Sequence, residues 1–217
     1  MNKLALPVLL TLLGACSHKT SEGEVVDYLH AHPEARVAVE TQAAGLVPDT
    51  TKIHHGDKPL TLLGPTLDVG AMAPDVTVVD GDLHPVKLSS LKGKIVVLSV
   101  VPSIDTHVCE SQTHHVSGAI DQMPPGVEVF TVSRDLPFAQ TRFKEEAQTK
   151  TKMVSDYHGG DFGRAFGLEV QESGLLARSL WVIGTDGKVA YRQLVDDQGT
   201  EPDYDPMIAA VKKAAGA

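Results

Sequence analysis

Two cysteines occur in the 217 residues, Cys16 and Cys109, and the second follows the loop Pro102-Ser103-Ile104-Asp105-Thr106-His107-Val108. A continuous apolar, β-branched run at 94–101 precedes that loop. The pattern puts the sulfur in the first turn of a helix, just after a strand ends and the chain turns. Unpaired backbone N–H groups and the positive end of the helix dipole favour thiolate over thiol there, and the thiolate is the nucleophile. Thr106, three residues before the sulfur, can bring its hydroxyl beside it to hydrogen-bond the thiolate and a bound oxygen. Pro102 closes the turn without offering an N–H to water and so shields the site. One chemistry open to such a group is attack on an O–O bond. That bond breaks at one oxygen while charge builds on the other, and fixed donors aimed at those oxygens lower the barrier.

The elements that must hold this loop are legible from periodicity. Residues 94–101 read as a strand buried on both faces, as in a sheet covered by helices. Further strands are predicted at 127–133, 175–183 and 188–195, the last two joined by the turn Thr185-Asp186-Gly187. Between them, 107–123 forms a helix with Cys109, Gln112, Val116, Ile120 and Met123 on one face. A second helix, 137–148, starts with Pro137 after a capping Asp135, and 203–215 closes the chain as an amphipathic helix. Upstream, β-prone pieces at 59–63 and 66–69 flank Gly64-Pro65, and pieces at 76–79 and 86–88 flank Gly81-Asp82; these predict N-terminal hairpins. Residues 47–56 read as a polar linker. The order β-α-β-α-β-β-α is α/β, a thioredoxin-like mixed sheet flanked by helices.

The N-terminus reads as a targeting segment. Met1-Asn2-Lys3 is a short basic region, and residues 4–13 form an apolar run of ten. Such a run is too short to cross a hydrocarbon core of about 30 Å as a helix, and it fits a secretory signal. It ends in Leu13-Gly14-Ala15-Cys16, which resembles the lipobox of bacterial lipoproteins. That resemblance implies cleavage before Cys16, lipidation of its sulfur, and a membrane anchor at the bacterial cell envelope. The periplasmic face is expected, and Ser17 tilts the expectation towards the outer membrane. Residues 17–23 are a polar tether. Residues 24–44, with Val25, Val26 and Leu29 at near-helical spacing, form short helices that serve as a spacer or for oligomerisation, the spacer being favoured. The domain scheme is a signal peptide at 1–15, a tether and short helical extension at 16–55, and a thioredoxin-like domain at 56–217.

Composition narrows the function further. Nineteen Lys and Arg against 28 Asp and Glu give a net charge of −9, so surface charge offers no reason to bind nucleic acid or anionic lipid. Hydrophobic residues make up 42%, enough for a sizeable core, in which Trp181 is expected to sit. Ten histidines include the pairs His54-His55 and His114-His115, but neither pair has zinc-site spacing with Cys or Glu partners. No metal or other cofactor is expected.

Residues 101–109 are similar to the active-site loop of the thiol peroxidases, the peroxiredoxin subgroup called atypical two-cysteine enzymes. Three further stretches agree in order and spacing: Ser133-Arg134-Asp135-Leu136-Pro137-Phe138-Ala139-Gln140, Leu175-Leu176-Ala177-Arg178, and Glu201-Pro202-Asp203-Tyr204. The resemblance runs from about Gly56 to the C-terminus. It implies a thiol-dependent peroxidase acting on hydrogen peroxide or on organic and lipid hydroperoxides. It also brings in Arg178, whose guanidinium in the family comes from a later strand and contacts both thiolate and substrate oxygen. His107 departs from the small residue or proline expected there, and an exposed place in the loop is favoured over a role in tuning the thiol. His114 and His115 stand where the family tends to show basic residues and are expected to keep part of a positive field.

One departure changes the cycle. The family's resolving cysteine falls at Lys144 in this chain, and Cys16 is expected to be acylated. The resemblance then implies a one-cysteine cycle in which a Cys109 sulfenic acid is rescued by an external thiol. A thioredoxin-like protein, a small thiol, or Cys109 of a second copy in a homodimer can supply it. A different class remains open, a non-catalytic redox sensor or chaperone that uses Cys109 for mixed disulfides. A degenerate binding module is disfavoured by the Thr106–Cys109–Arg178 set.

Overall fold

The computed structural model describes residues 48–216. The signal sequence, Cys16 and the helices expected across 24–44 lie outside the described residues. Two sheets are built. Strands β1 (Pro48–His55), β2 (Lys58–Leu63) and β8 (Glu169–Val170) make a three-stranded sheet in the order β1-β2-β8. The larger sheet has seven strands: β3 (Thr77–Val79), β4 (Pro85–Lys87), β5 (Val96–Val100), β6 (Glu128–Ser133), β7 (Lys152–Ser155), β9 (Ser179–Ile183) and β10 (Val189–Leu194). Its order is β10-β9-β5-β6-β7-β3-β4. Strands β5, β6 and β7 run parallel, and β9 joins β5 antiparallel with Leu98 opposite Trp181. Helices α1 (His107–Ala119), α2 (Pro137–Ala147), α3 (Asp161–Ala165) and α4 (Asp205–Ala214) follow in chain order. This is the mixed, thioredoxin-like α/β architecture.

The apolar runs are explained by burial on both faces. All five residues of β5 and all five of β9 are buried, and successive side chains enter opposite cores as the strand period requires. Leu98, Val100, Phe130, Val132 and Trp181 pack on one side with Phe162, Phe166 and Leu176. Val97, Val129, Leu180 and Val182 pack on the other with Val116 of α1 and Met207 and Val211 of α4. The central strands therefore cannot shift register without driving apolar groups into the wrong layer, which fixes where β5 ends and the 102–106 loop begins.

Four expectations are corrected. Residues 48–55 form β1 rather than a linker, paired antiparallel with β2 through the tight turn at Gly56-Asp57, where Gly56 has φ +58°. Ile53, 2% exposed, supplies the apolar contact that a polar reading of the segment overlooks. Residues 66–69 form no strand; β2 pairs with β1 and β8 instead. The strand expected at 175–183 begins only at Ser179, because Leu176 and Ala177 first pair with Glu169 and Leu168 beside the small sheet. The α-helix expected to reach 123 ends at Ala119 and tightens into a 3₁₀ turn at Ile120–Gln122. Strand β7 and helix α3, four and five residues long, are too short to show a period in sequence.

Glu128, at the start of β6, is tied to the start of β7 and to the chain just ahead of β5. It accepts hydrogen bonds from Lys94 Nζ at 2.6 Å and from Lys152 Nζ. The Lys152 and then the Lys94 ammonium hold its carboxyl below the ordinary glutamate value of 4.5. The folded carboxyl thus binds protons more weakly than the unfolded one. Its contribution to stability is complete above the ordinary value and is lost as pH falls through the lower, folded one. Both lysines are more than half exposed, so screening limits the term to ~1 kcal/mol or less. Glu128→Gln is expected to cost up to that amount in urea unfolding at about pH 7, the difference from wild type shrinking as pH falls below the ordinary glutamate value.

Candidate active site

The loop after β5 is short and braced. Thr106 is the N-cap of α1, with extended backbone at φ −120° and ψ 140°, and its carbonyl accepts the amides of Cys109 and Glu110, each at 3.0 Å. Asp135 does not cap α2, whose N-cap is Leu136. Its carboxylate instead takes the Ser103 hydroxyl at 2.8 Å and the Ile104 amide at 2.9 Å. The Ser155 hydroxyl in turn donates to the Asp135 carbonyl. The 133–140 stretch thereby acts as a clamp on the loop that leads to the sulfur.

Cys109, third residue of α1, is 0% exposed and packs with Val101, Ile104 and Met153. Arg178 reaches it from the extended segment just before β9, with Nη2 3.3 Å from Sγ. Arg178 is 2% exposed. Its other donors go to neutral oxygens, Nη1 to Gln112 Oε1 at 2.8 Å and Nε to the Gln198 carbonyl at 3.1 Å. Among the described residues no carboxylate lies within 4.0 Å of it. A buried cation with no anion beside it is costly. The group at contact distance that can carry a matching negative charge is the Cys109 sulfur.

Gln112 and Gln198 were not singled out from sequence as parts of the site. The Gln112 amide is fixed in orientation, because its Nε2 donates to Ser99 Oγ at 2.9 Å and to the Val100 carbonyl at 3.3 Å. Its oxygen must therefore face Arg178. The available signal was a polar residue one helical turn after the cysteine on an otherwise apolar, buried face. Gln198 sits in a loop beyond β10, and its side-chain oxygen accepts the Arg178 amide; nothing in its local sequence marks it.

The structure differs at Thr106 from the expectation that its hydroxyl hydrogen-bonds the sulfur. The hydroxyl donates to the Ser103 carbonyl at 3.2 Å, since the turn from Ser103 to the N-cap folds that carbonyl back under it. Its lone pairs remain available to an incoming donor. Thr106 is exposed, and with Pro102, Arg178 and Gln198 it lines a cavity of about 410 Å³. Arg178 is common to the cavity wall and the sulfur contact.

The basic field expected from His114 and His115 is offset by acids. His114 faces Glu110 at 3.8 Å, and His115 Nδ1 lies 2.7 Å from Glu201. Glu201 also accepts the hydroxyls of Ser111, at 2.7 Å, and Tyr204, so the Glu201-Pro202-Asp203-Tyr204 stretch fastens α1 to the start of α4. Burial, reinforced by Glu201, pushes the Tyr204 phenol well above its ordinary value. His107 is exposed, as expected, but it is the first residue of α1 and not part of the loop. Lys144 is also exposed and lines a separate cavity between α2 and the β3–β4 hairpin.

The Redoxin family model matches residues 68–208. A thiol peroxidase of Halalkalibacterium halodurans is 45% identical over 157 residues, covering 72% of this chain and 94% of that protein. A thiol peroxidase of Bacillus subtilis is 41% identical over 155 residues, covering 71% and 92%. The crystal structure of a peroxiredoxin-like protein from Aquifex aeolicus superposes with a TM-score of 0.71 at 38% identity, covering 75% of this chain and 96% of that one.

The neutral cradle of Arg178 makes a prediction. Gln112→Glu would put a carboxylate against the guanidinium in competition with the sulfur. Iodoacetamide alkylation of Cys109 is expected to slow about tenfold at neutral pH, as an interaction of ~1.4 kcal/mol would do. Gln112→Leu, which brings no competing charge, should slow it far less.

Proposed function

The chain belongs to the Redoxin family and is a thiol peroxidase, and from that premise we propose that Cys109 is its peroxidatic thiol, assisted by Thr106 and Arg178. The observation that carries this reading is the buried guanidinium 3.3 Å from Sγ with only neutral oxygens as its other partners. The Cys109 thiolate attacks the terminal oxygen of ROOH. An S–O bond forms, the O–O bond breaks, and the electron pair leaves on RO⁻, which takes a proton to become ROH. Sulfur is oxidised to sulfenic acid and the peroxide is reduced to an alcohol, or to water when R is hydrogen. Arg178 steadies the thiolate and then the charge gathering on the departing oxygen. Thr106, its proton turned to Ser103, accepts the hydrogen of the peroxide and orients it. Pro102 walls the site from water. Sγ itself is fully buried, and the cavity lined by Thr106 and Arg178 leads to the guanidinium that touches it.

Resolution is assigned to an external thiol. Lys144 occupies the resolving position, and Cys109 is the free cysteine among the described residues. A thioredoxin-like protein or a small thiol attacks the sulfenic sulfur, water leaves, and a second thiol releases Cys109 from the mixed disulfide. The substrates are hydrogen peroxide and organic or lipid hydroperoxides. Attachment through an acylated Cys16 at the bacterial envelope is supported by the apolar run 4–13 and the Leu13-Gly14-Ala15-Cys16 sequence. The lack of a partner thiol also favours, as the second reading, a sensor that oxidises once and passes a disulfide on.

Peroxide consumption by the protein with a dithiol donor tests both readings. Turnover is expected to disappear in Cys109→Ser, to fall ~10²–10³-fold in Arg178→Ala, and to fall at least ~10-fold in Thr106→Val. One equivalent of sulfenic acid without sustained turnover, under any thiol donor, would move the assignment to the sensor. With excess peroxide and no donor, intact-mass spectra should show Cys109 advancing to the sulfinic state, because no internal thiol intercepts it.

A further inference from the structure

We infer that the cavity beside Arg178 selects hydroperoxides bearing a carboxylate, and that Lys58 is the residue that selects them; this rests on the peroxidase reading above. In a chain of net charge −9, the wall of this cavity contains no aspartate or glutamate. Its basic members are Arg178, Lys58, His55 and His107, and its apolar members include Leu60 and Val170. Acidic groups are abundant in the chain and absent from this wall, so the cavity carries a charge opposite to that of the molecule.

The basic groups are not equivalent. Arg178 is held by Cys109, Gln112 and Gln198. His55 has a neighbouring carboxylate, since its ring and that of His54 help to lower the Asp197 carboxyl, which the Gly199 amide chiefly controls. Lys58 has neither constraint: among the described residues no carboxylate lies within 4.0 Å of its ammonium. Its backbone is nevertheless fixed, paired with His55 across the Gly56-Asp57 turn. That hairpin is bonded to the loop carrying Gln198, His54 N donating to the Asp196 carbonyl and Gln198 N to the His54 carbonyl, both at 2.8 Å.

An ammonium with no ion-pair partner at the edge of an apolar wall suits an anion attached to an apolar body. Carboxylate fits better than a strongly hydrated dianion, whose desolvation the apolar wall would not offset. In the resulting pose the –OOH group lies at Thr106 and Arg178, the hydrocarbon against Leu60 and Val170, and the carboxylate at Lys58. A cavity of about 410 Å³ has room for a molecule the size of cumene hydroperoxide with a para-carboxylate.

The test compares cumene hydroperoxide para-carboxylate with its methyl ester, which has the same shape without the charge. Wild type is expected to favour the acid by ~3–5-fold in kcat/KM, the scale of one exposed ion pair, and less at high salt. Lys58→Ala should bring the ratio to about one while leaving turnover of unsubstituted cumene hydroperoxide unchanged. Lys58→Arg should restore the preference, and Lys58→Glu should reverse it. Equal rates for acid and ester in wild type, or a preference that survives Lys58→Ala, would overturn the inference. A binding readout separates it from the peroxidase reading. Para-isopropylbenzoate should protect Cys109 from iodoacetamide better than its methyl ester does, in wild type and not in Lys58→Ala. Protection without turnover would sink the peroxidase and spare the carboxylate site, whereas turnover without selective protection would do the reverse.

Discussion

A guanidinium shut away from water, touching one sulfur and two uncharged carbonyl oxygens, is a demand that the surrounding fold has to meet. The partners of Arg178 come from two places in the fold: the sulfur and Gln112 from consecutive turns of α1, and the Gln198 carbonyl from the loop beyond β10. The arginine itself stands where the chain leaves the small sheet and enters the large one. The contrast with Arg134 is instructive. That side chain also points inward, 17% exposed, but it meets Glu169 at 2.7 Å and Asp156 at 3.5 Å. Arg134 is neutralised in place and joins α3 to β8. Arg178 has no such neutraliser, and its charge stays available to the thiol and to whatever the thiol attacks.

Holding that charge in position requires stiffness upstream. The five buried residues of β5 set the height at which the chain turns, and Asp135 pins Ser103 and Ile104 in the loop that follows. Ser99, inside β5, fixes the amide of Gln112, so a strand residue governs a helix residue that governs the guanidinium. This is positioning by relay, in which no single contact is strong and each removes one rotational freedom. Preorganisation of this kind places donors where charge will develop before the substrate arrives.

The central layer of the fold was legible because two-sided burial leaves an unmistakable mark: the apolar runs of β5, β6 and β9 allow little else. The cysteine, its threonine and the late arginine were legible as spacing and resemblance. What sequence could not convey were contacts between residues far apart in the chain. Gln112 and Gln198 are ordinary glutamines until Arg178 is set between them. Asp135 looked like a helix cap because it precedes Pro137, yet the Ser103 hydroxyl and Ile104 amide compete for the same carboxylate and win. Strand β1 was hidden for a different reason. Of Ile53, His54 and His55 at its end, Ile53 is the buried one, and the two polar neighbours mask the alternation.

The bonding of β1 has a consequence for local opening. His54 uses its amide and its carbonyl to grip Asp196 and Gln198, so the backbone that holds the Arg178 Nε bond is itself held by the end of an edge strand. Edge strands are commonly among the first parts of a protein to fray, and amides that share such bonds lose their protection from solvent exchange as one cooperative unit. The lifetime of the arginine cradle is therefore tied to that of the outermost hairpin, and fraying there would be felt at the thiol long before the central sheet began to yield.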